Sequence, residues 1–368
     1  MRVLVLLTDL FDAVGGIQTF SRCLVKALDE IAERRGWTIT LLVLNDRLHS
    51  QGDQRYFDPK RTGYHPCGRN KASFAISAVR HSVLASFVII GHVNFVPLAV
   101  LVKSLKPHIH LALIVYGLEV WKRLTIMQRL GLQRTDRIWS ISLYTRDQMV
   151  TLNRLDRMKF SILPCSLDPY YGVDCAIKTK ERLTLPHGKM ILSVARLEAS
   201  EKKGIDLVLE ALPKVAGEVP GIFFVVVGEG SDRERLEHQA RTLGVHQRVI
   251  FTGRLPAGLL ESYYAACDVF VLPSLLEGFG IVFLEAMYQR KPCVGVRAGA
   301  VPEVIEDQVT GLVTDPGDAQ ALAKALVRLL SNQSLASAMA KAGNDRLHRR
   351  FSFRHFSDRV EANLLDRP

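Results

Sequence analysis

The stretch EGFGIVFLE, residues 277–285, decides how this chain is read. Two carboxylates, Glu277 and Glu285, flank a Gly-Phe-Gly turn that runs straight into an apolar segment of helical pattern. The first turn of a helix leaves four backbone N–H groups unpaired and carries roughly half a positive charge. Glycines let a ligand approach that backbone closely, so the element reads as an anion cradle with acidic residues beside it. Phosphates on the N–H groups and hydroxyls on the carboxylates describe a sugar nucleotide. An ordinary turn with two solvated Glu is the plainer alternative.

Moving outward, Arg196 ends the strand-like run 190–197, and Lys203 precedes Gly204 where a helical pattern starts. Strand ends in an open α/β sheet give onto the ligand crevice. Two cations there, facing the 277–285 cradle, are suited to hold a diphosphate and to stabilise it as it leaves. No D-x-D sequence occurs, nor a His/Asp/Glu cluster with metal-ligand spacing, which favours protein cations over Mg²⁺ or Mn²⁺ and no metal site.

The E-x₇-E spacing and the R…KG pattern resemble those of the retaining glycosyltransferases of the family 4 type (glycosyl transferases group 1). The resemblance implies a GT-B fold, an α/β architecture of two Rossmann-like parallel-sheet domains facing each other across a cleft. It also implies a nucleotide-diphospho-sugar as donor substrate, with no cofactor and no metal. It selects Lys203 over its neighbour Lys202. Carried over residue by residue, it makes Arg196, Lys203 and Glu277 the catalytic set, with Glu277 reaching the donor sugar and Glu285 the ribose. The N–H groups of Phe279, Gly280, Ile281 and Val282 would take phosphate oxygens. Gly228, in VVVGEGSD, borders the nucleotide, and Arg254 and Leu255 lie where the base would sit.

In the first half, Gly15 and Gly16 match the family's N-terminal Gly-Gly loop, with Gln18 opening the helix behind it. Gly16 is assigned to the donor, Gly15 and Gln18 to the acceptor. YGLEVW (116–121) resembles an H-G-x-E stretch, with Tyr116 in place of the histidine and Glu119 retained. Tyr hydrogen-bonds but does not titrate near pH 7, so a His-based proton role is in doubt there. His92, in GHVN, is the nearby alternative, or else a structural histidine. AGAVPEVI (298–305) resembles G-G-x-P-E, with Ala300 at the second glycine position and Glu303 as loop support.

Strand-like runs alternate with helical patterns throughout, as parallel α/β architecture requires. In the first half they fall at about 3–8, 39–44, 87–91, 110–116, 137–142 and 160–164; helices are expected at 18–35 and 143–154. Residues 46–70 show no clear period and read as a functional or mobile loop. The expected division is 1–165 as an acceptor-binding domain, 166–188 as linker and 189–350 as the nucleotide-sugar domain. Residues 351–368 form a helix expected to cross back onto the first domain. In the second half strands fall at 190–197, 222–230, 249–253, 268–274, 292–297 and 311–315.

Charge is divided unevenly. Residues 1–165 hold 23 Lys and Arg against 12 Asp and Glu, and residues 166–368 hold 25 of each, so the net +11 belongs to the first half. That field points to an anionic partner. A saccharide or polyprenyl-diphosphate-linked acceptor and an anionic membrane surface both fit. Dispersed Lys/Arg without a recognised motif argues against nucleic acid. The run Val120–Arg134 is expected to be an amphipathic helix, for a membrane or for its own core. Val83–Val102 is apolar, but Gly91, His92, Asn94 and Pro97 favour strand, loop and short helix over a membrane span. MRVLVLLTDL reads as a buried first strand rather than a signal peptide. With scattered cysteines, this leads to a cytoplasmic protein, peripheral at the inner face of the membrane.

The combined expectation is a glycosyltransferase of cell-surface polysaccharide or glycolipid biosynthesis. A sugar-nucleotide epimerase on the same fold, a basic nucleic-acid-binding protein and a binding-only relative are the alternatives.

Overall fold

The computed structural model describes residues 1–173 and 183–366. The chain divides into a first unit, Met1–Pro169 with Phe351–Pro368, and a second, Tyr170–Arg350. Part of the expected linker, residues 174–182 with Cys175, lies outside the described residues.

The first unit runs β1 (Arg2–Leu7), α1 (Gly16–Arg35), β2 (Thr38–Val43), β3 (Thr62–Pro66), α2 (Lys71–Leu84) and β4 (Phe87–Ile90). It continues with α3 (Leu98–Leu105), β5 (His110–Val115), α4 (Ile126–Gln133), β6 (Arg137–Ser140), α5 (Leu143–Asn153) and β7 (Phe160–Ile162). The second unit runs β8 (Met190–Val194), α6 (Ile205–Glu218), β9 (Phe223–Val227), α7 (Arg233–Thr242), β10 (Val249–Gly253) and α8 (Ala257–Ala266). It ends with β11 (Val269–Val271), α9 (Ile281–Tyr288), β12 (Cys293–Val296), α10 (Val301–Val304), β13 (Gly311–Thr314), α11 (Ala319–Ser331) and α12 (Gln333–Arg350). The last helix, α13 (Phe353–Leu365), belongs to the first unit.

Each unit holds one parallel sheet, ordered β3-β2-β1-β4-β5-β6-β7 and β10-β9-β8-β11-β12-β13. Val3 pairs with Ile39 on one side and Phe87 on the other; Ile191 pairs with Phe224 and Val269. Runs such as VLVLL and FFVVV form these strands because a sheet covered on both faces buries every side chain. Strand order reverses beside β1 and beside β8. Loops leaving the carboxyl ends of the strands at such a point diverge to opposite faces and open a crevice.

Residues 46–70 are not an unstructured loop: they contain β3, a short edge strand. Its sequence TGYHP lacks the apolar run of the central strands, which hid it. Buried carboxylates hold the segment down. Asp29 of α1 accepts from Asp58 N, Thr62 Oγ1 and Arg61, and Asp46 accepts from Tyr64. Val120–Arg134 is not one helix either. Val120 and Leu124 are buried ahead of α4, the Trp121 indole donates to Thr145, and only Ile126–Gln133 is helical. The segment 83–102 resolves into β4, a short 3-10 turn and the start of α3, and no helix among the described residues is long and apolar enough to cross a membrane. Helix α13 lies on α1, with Glu361 paired to Arg34 and Arg35 and Phe356 against Phe20.

Candidate functional site

In the second unit, the predicted residues gather along one edge of the sheet, where β10, β9, β8 and β11 end. Beyond β8, the backbone of Arg196 is held between Ala195 N–Val227 O and Leu197 N–Glu229 O hydrogen bonds, both 3.0 Å. Gly228 makes that extension fit: a Cβ there would lie 1.8 Å from the Ala195 carbonyl oxygen. Gly204 works similarly, since a Cβ would lie 2.2 Å from the Pro273 carbonyl oxygen, so the backbone carrying Lys203 packs directly on the chain leaving β11. Beside it, Leu275 N donates to Lys202 O at 3.0 Å. The pairing of Lys203 with a following glycine thus has a packing reason.

The side chains form an alternating line of charge. Arg196 donates to Glu201 Oε1 at 2.6 Å; Lys203 Nζ lies 3.6 Å from Glu201 Oε2 and 3.1 Å from Glu277 Oε2. Lys203 and Glu277 are largely buried, with side chains 18% and 14% exposed, whereas Arg196 is 69% exposed. The buried pair is fixed and the Arg is accessible. Sequence reading missed Glu201, which joins the two cations; only its position between them signalled it.

Glu277 also anchors its loop, because its carbonyl accepts from Ala300 N at 2.9 Å. Phe279 is buried, so the turn is pinned by its ring, and α9 follows with no side chain capping Gly280. Ile281 and Val282 form the half-buried first turn. Glu285 lies one turn further, partly buried toward Tyr264 and Glu261. Burial pushes its carboxyl up to about 7, Glu261 adds to the rise, and Tyr264 opposes it. Glu285 therefore changes charge near neutrality.

Arg254 is exposed and Leu255 half-buried past β10, whose last residue accepts from Gly228 N. Arg233, at the third position of the partial glycine pattern, pairs with Glu229 and Glu237 and donates to the Phe251 carbonyl of β10. A cavity of about 410 Å³ adjoins the line of charge, bounded by Arg196, Lys203, Asp206, Asp232 and Pro273, and residues 277–285 do not line it. Among the described residues no group of three or more His, Cys, Asp or Glu is placed to hold a metal ion.

In the first unit the predicted residues again follow strand ends, but several are occupied. Tyr116 is a core residue: its ring meets Phe20 edge-on at 5.3 Å, and its hydroxyl is buried without a hydrogen bond. The acceptor contact expected of it is not available to this side chain, because β5 ends with its ring turned into the core. Glu119 Oε1 accepts from the N–H of Tyr116 and of Gly117, so it closes its own loop. His92 caps a 3-10 turn, its Nδ1 accepting from Asn94 N at 3.1 Å. Desolvation holds its imidazole below the usual range, against opposing pulls from Glu119 and Asp9. Asp9, after β1, was not singled out from sequence; it accepts from Asn45. Gly15 and Gly16 open α1, Thr19 N donating to Gly15 O at 3.0 Å, and Gln18 lies in the first turn against Gly15.

Residues 177–346 match the family model described as glycosyl transferases group 1. A GDP-mannose-dependent alpha-(1-6)-phosphatidylinositol monomannoside mannosyltransferase of Mycolicibacterium smegmatis is 36% identical over 177 residues, 46% of either chain. Its counterpart in Mycobacterium tuberculosis is 31% identical over 243 residues, 62% of this chain and 63% of that one. The matches thus span less than two thirds of these relatives' own lengths. The Anabaena protein HepE, solved in complex with UDP and glucose, superimposes over 100% of both chains with a TM-score of 0.80 at 17% identity. Residues 177–346 thus resemble glycosyl transferases group 1, and the chain's two Rossmann-like parallel-sheet units are of the kind found in the GT-B fold.

Proposed function

We propose that the protein is a retaining, metal-independent glycosyltransferase. It moves a sugar from a nucleotide-diphospho-sugar to a saccharide or lipid-linked acceptor in polysaccharide or glycolipid assembly. The observation that carries this reading is the Arg196–Glu201–Lys203–Glu277 line of charge beside the start of α9. Carboxylates hold Lys203 in place and Arg196 is exposed beside it, so a diphosphate meets cations already positioned, at little cost in reorganisation. The N–H groups at the start of α9 take phosphate oxygens, Glu285 the ribose, and Glu277 the donor sugar.

As the bond between sugar and phosphate breaks, its electron pair passes to the phosphate oxygen, where Arg196 and Lys203 balance the new charge. Glu277 is held by Lys203 and is poorly placed as a covalent nucleophile. Transfer then proceeds on the front face within an ion pair. The acceptor hydroxyl bonds to the sugar and gives its proton to the departing diphosphate. The first unit binds the acceptor, around His92, Asp9, Gly15 and Gln18. Relatives named for GDP-mannose and a structural neighbour holding UDP support two donor bases.

A thermal-shift screen of UDP-, GDP- and ADP-sugars tests the reading. A donor at about 100 times its Kd should stabilise the fold by roughly 2.7 kcal/mol. No shift with any of them refutes it; epimerised sugar nucleotide formed without acceptor would replace it with an epimerase.

A further inference from the structure

Helices α2, α3 and α4 form one layer over the first sheet, and its outer surface has no part in the reading above. Phe74, Ala78, Ala99, Val102 and Leu132 point inward to a shared core with β1, β2, β4, β5 and β6. The layer is tied together: Lys106 Nζ bonds the carbonyls of Val83 and Ala85, and Gln128 donates to Asn94. On the outer side Val83, Leu84, Leu101, Leu105, Met127 and Leu130 are 44–64% exposed. Among the described residues, eight of the seventeen exposed large apolar side chains lie on α2, α3 and α4, so the layer's outer face is not the even scatter of a solvated surface.

Charge is the second observation. From residue 59 to 135 the chain holds eleven Lys and Arg and one acid, Glu119, whose carboxylate is engaged with backbone N–H groups. Arg80, Arg123, Arg129 and Arg134 are exposed and have no ion pair among the described residues.

The geometry points to an anionic lipid surface as the occupant of the α2–α3–α4 face. Apolar side chains enter the boundary between headgroups and acyl chains, while guanidiniums meet lipid phosphates. A soluble polyanion would use the cations and leave the leucines exposed; a lipid surface satisfies both. This deepens the lipid-linked acceptor reading and rests on it for its purpose, but the two fail separately.

The test is sedimentation of the full chain with vesicles of phosphatidylcholine alone or mixed with phosphatidylglycerol. The parent should bind the anionic vesicles and barely bind the neutral ones. Arg123→Gln with Arg129→Gln and Arg134→Gln should lower partitioning on the order of a hundredfold, at roughly fivefold per cation. Leu101→Gln with Met127→Gln and Leu130→Gln should lower it about tenfold or more. Thermal midpoints and sugar-nucleotide shifts on the same preparations report the fold and the donor site. A parent that ignores anionic vesicles, or variants that bind as it does, overturn the lipid face even if the donor shift is intact. Loss in the cation variant alone also overturns it, leaving a patch for any polyanion.

Discussion

The loops that leave β1 and β8 occupy the same place in their two sheets, yet a carboxylate organises each in an opposite way. In the first unit Asp46 is fully buried and accepts from the backbone N–H of Leu10 and Phe11, both at 3.1 Å, and from Tyr64 at 2.7 Å. In the second, Glu201 is taken up by two side-chain cations, Arg196 and Lys203. A carboxylate spent on backbone donors makes a scaffold, because those donors have nowhere else to go. One spent on long cationic side chains makes a charged site, because it holds those cations where an anion can meet them. The difference separates stability from function at equivalent positions.

Lys203→Ala is the strongest way to break the contrast. Stranding Glu201 and Glu277 should cost about 3 kcal/mol of stability, and turnover of the folded protein should fall by roughly 10²–10³, read by denaturant melts and single-turnover assay. Glu201→Gln, which frees the cations without removing them, should cost about a tenth of that. Full activity in Lys203→Ala would show that the line of charge is structural.

Asp46→Ala tests the other arm. It strands a buried N–H, a half-buried N–H and a tyrosine hydroxyl, so the expected loss is about 3 kcal/mol of stability in urea unfolding. Donor affinity in the remaining folded protein should hardly move. Unchanged stability would remove the scaffold half of the comparison.

A smaller effect sharpens the second unit. The folded Glu285 carboxyl titrates near 7 against an ordinary value of 4.5, so the folded state binds more protons between them. Its contribution to stability is full below about pH 4.5 and is lost as pH rises through about 7. The slope is at most about 1.4 kcal/mol per pH unit. Glu285→Gln should flatten that slope in thermal melts. If the carboxylate accepts ribose hydroxyls, donor binding should tighten as pH rises through the same range. A parent and variant with identical pH dependence would show that the group does not titrate there.

Much of this was legible in the chain. The strands of the second unit announce themselves as buried runs, and EGFGIVFLE places its glycines and carboxylates where a strand end meets a helix. Arg196 and Lys203 were readable because they follow such a strand at fixed spacing. Glu201 was not, since one more acid in a charged stretch looks like solvated surface until its partners converge. Tyr116 misled for the converse reason: position in a motif fixes where the backbone goes, but not which way the ring turns. The run 120–134 is not one helix because Leu124 N donates to Asn153 and Thr125 caps α4, so the helix starts only at Ile126.

By itself, the sequence determined what local chemistry controls: the alternation of strands and helices, the uncapped helix start at residue 281, and the cationic excess of the first half. Only the tertiary structure decided which charges are spent on one another and which stay on the surface. Ion pairing and burial depend on residues far apart in the chain, as Lys203 is from Glu277, and no local pattern encodes those distances.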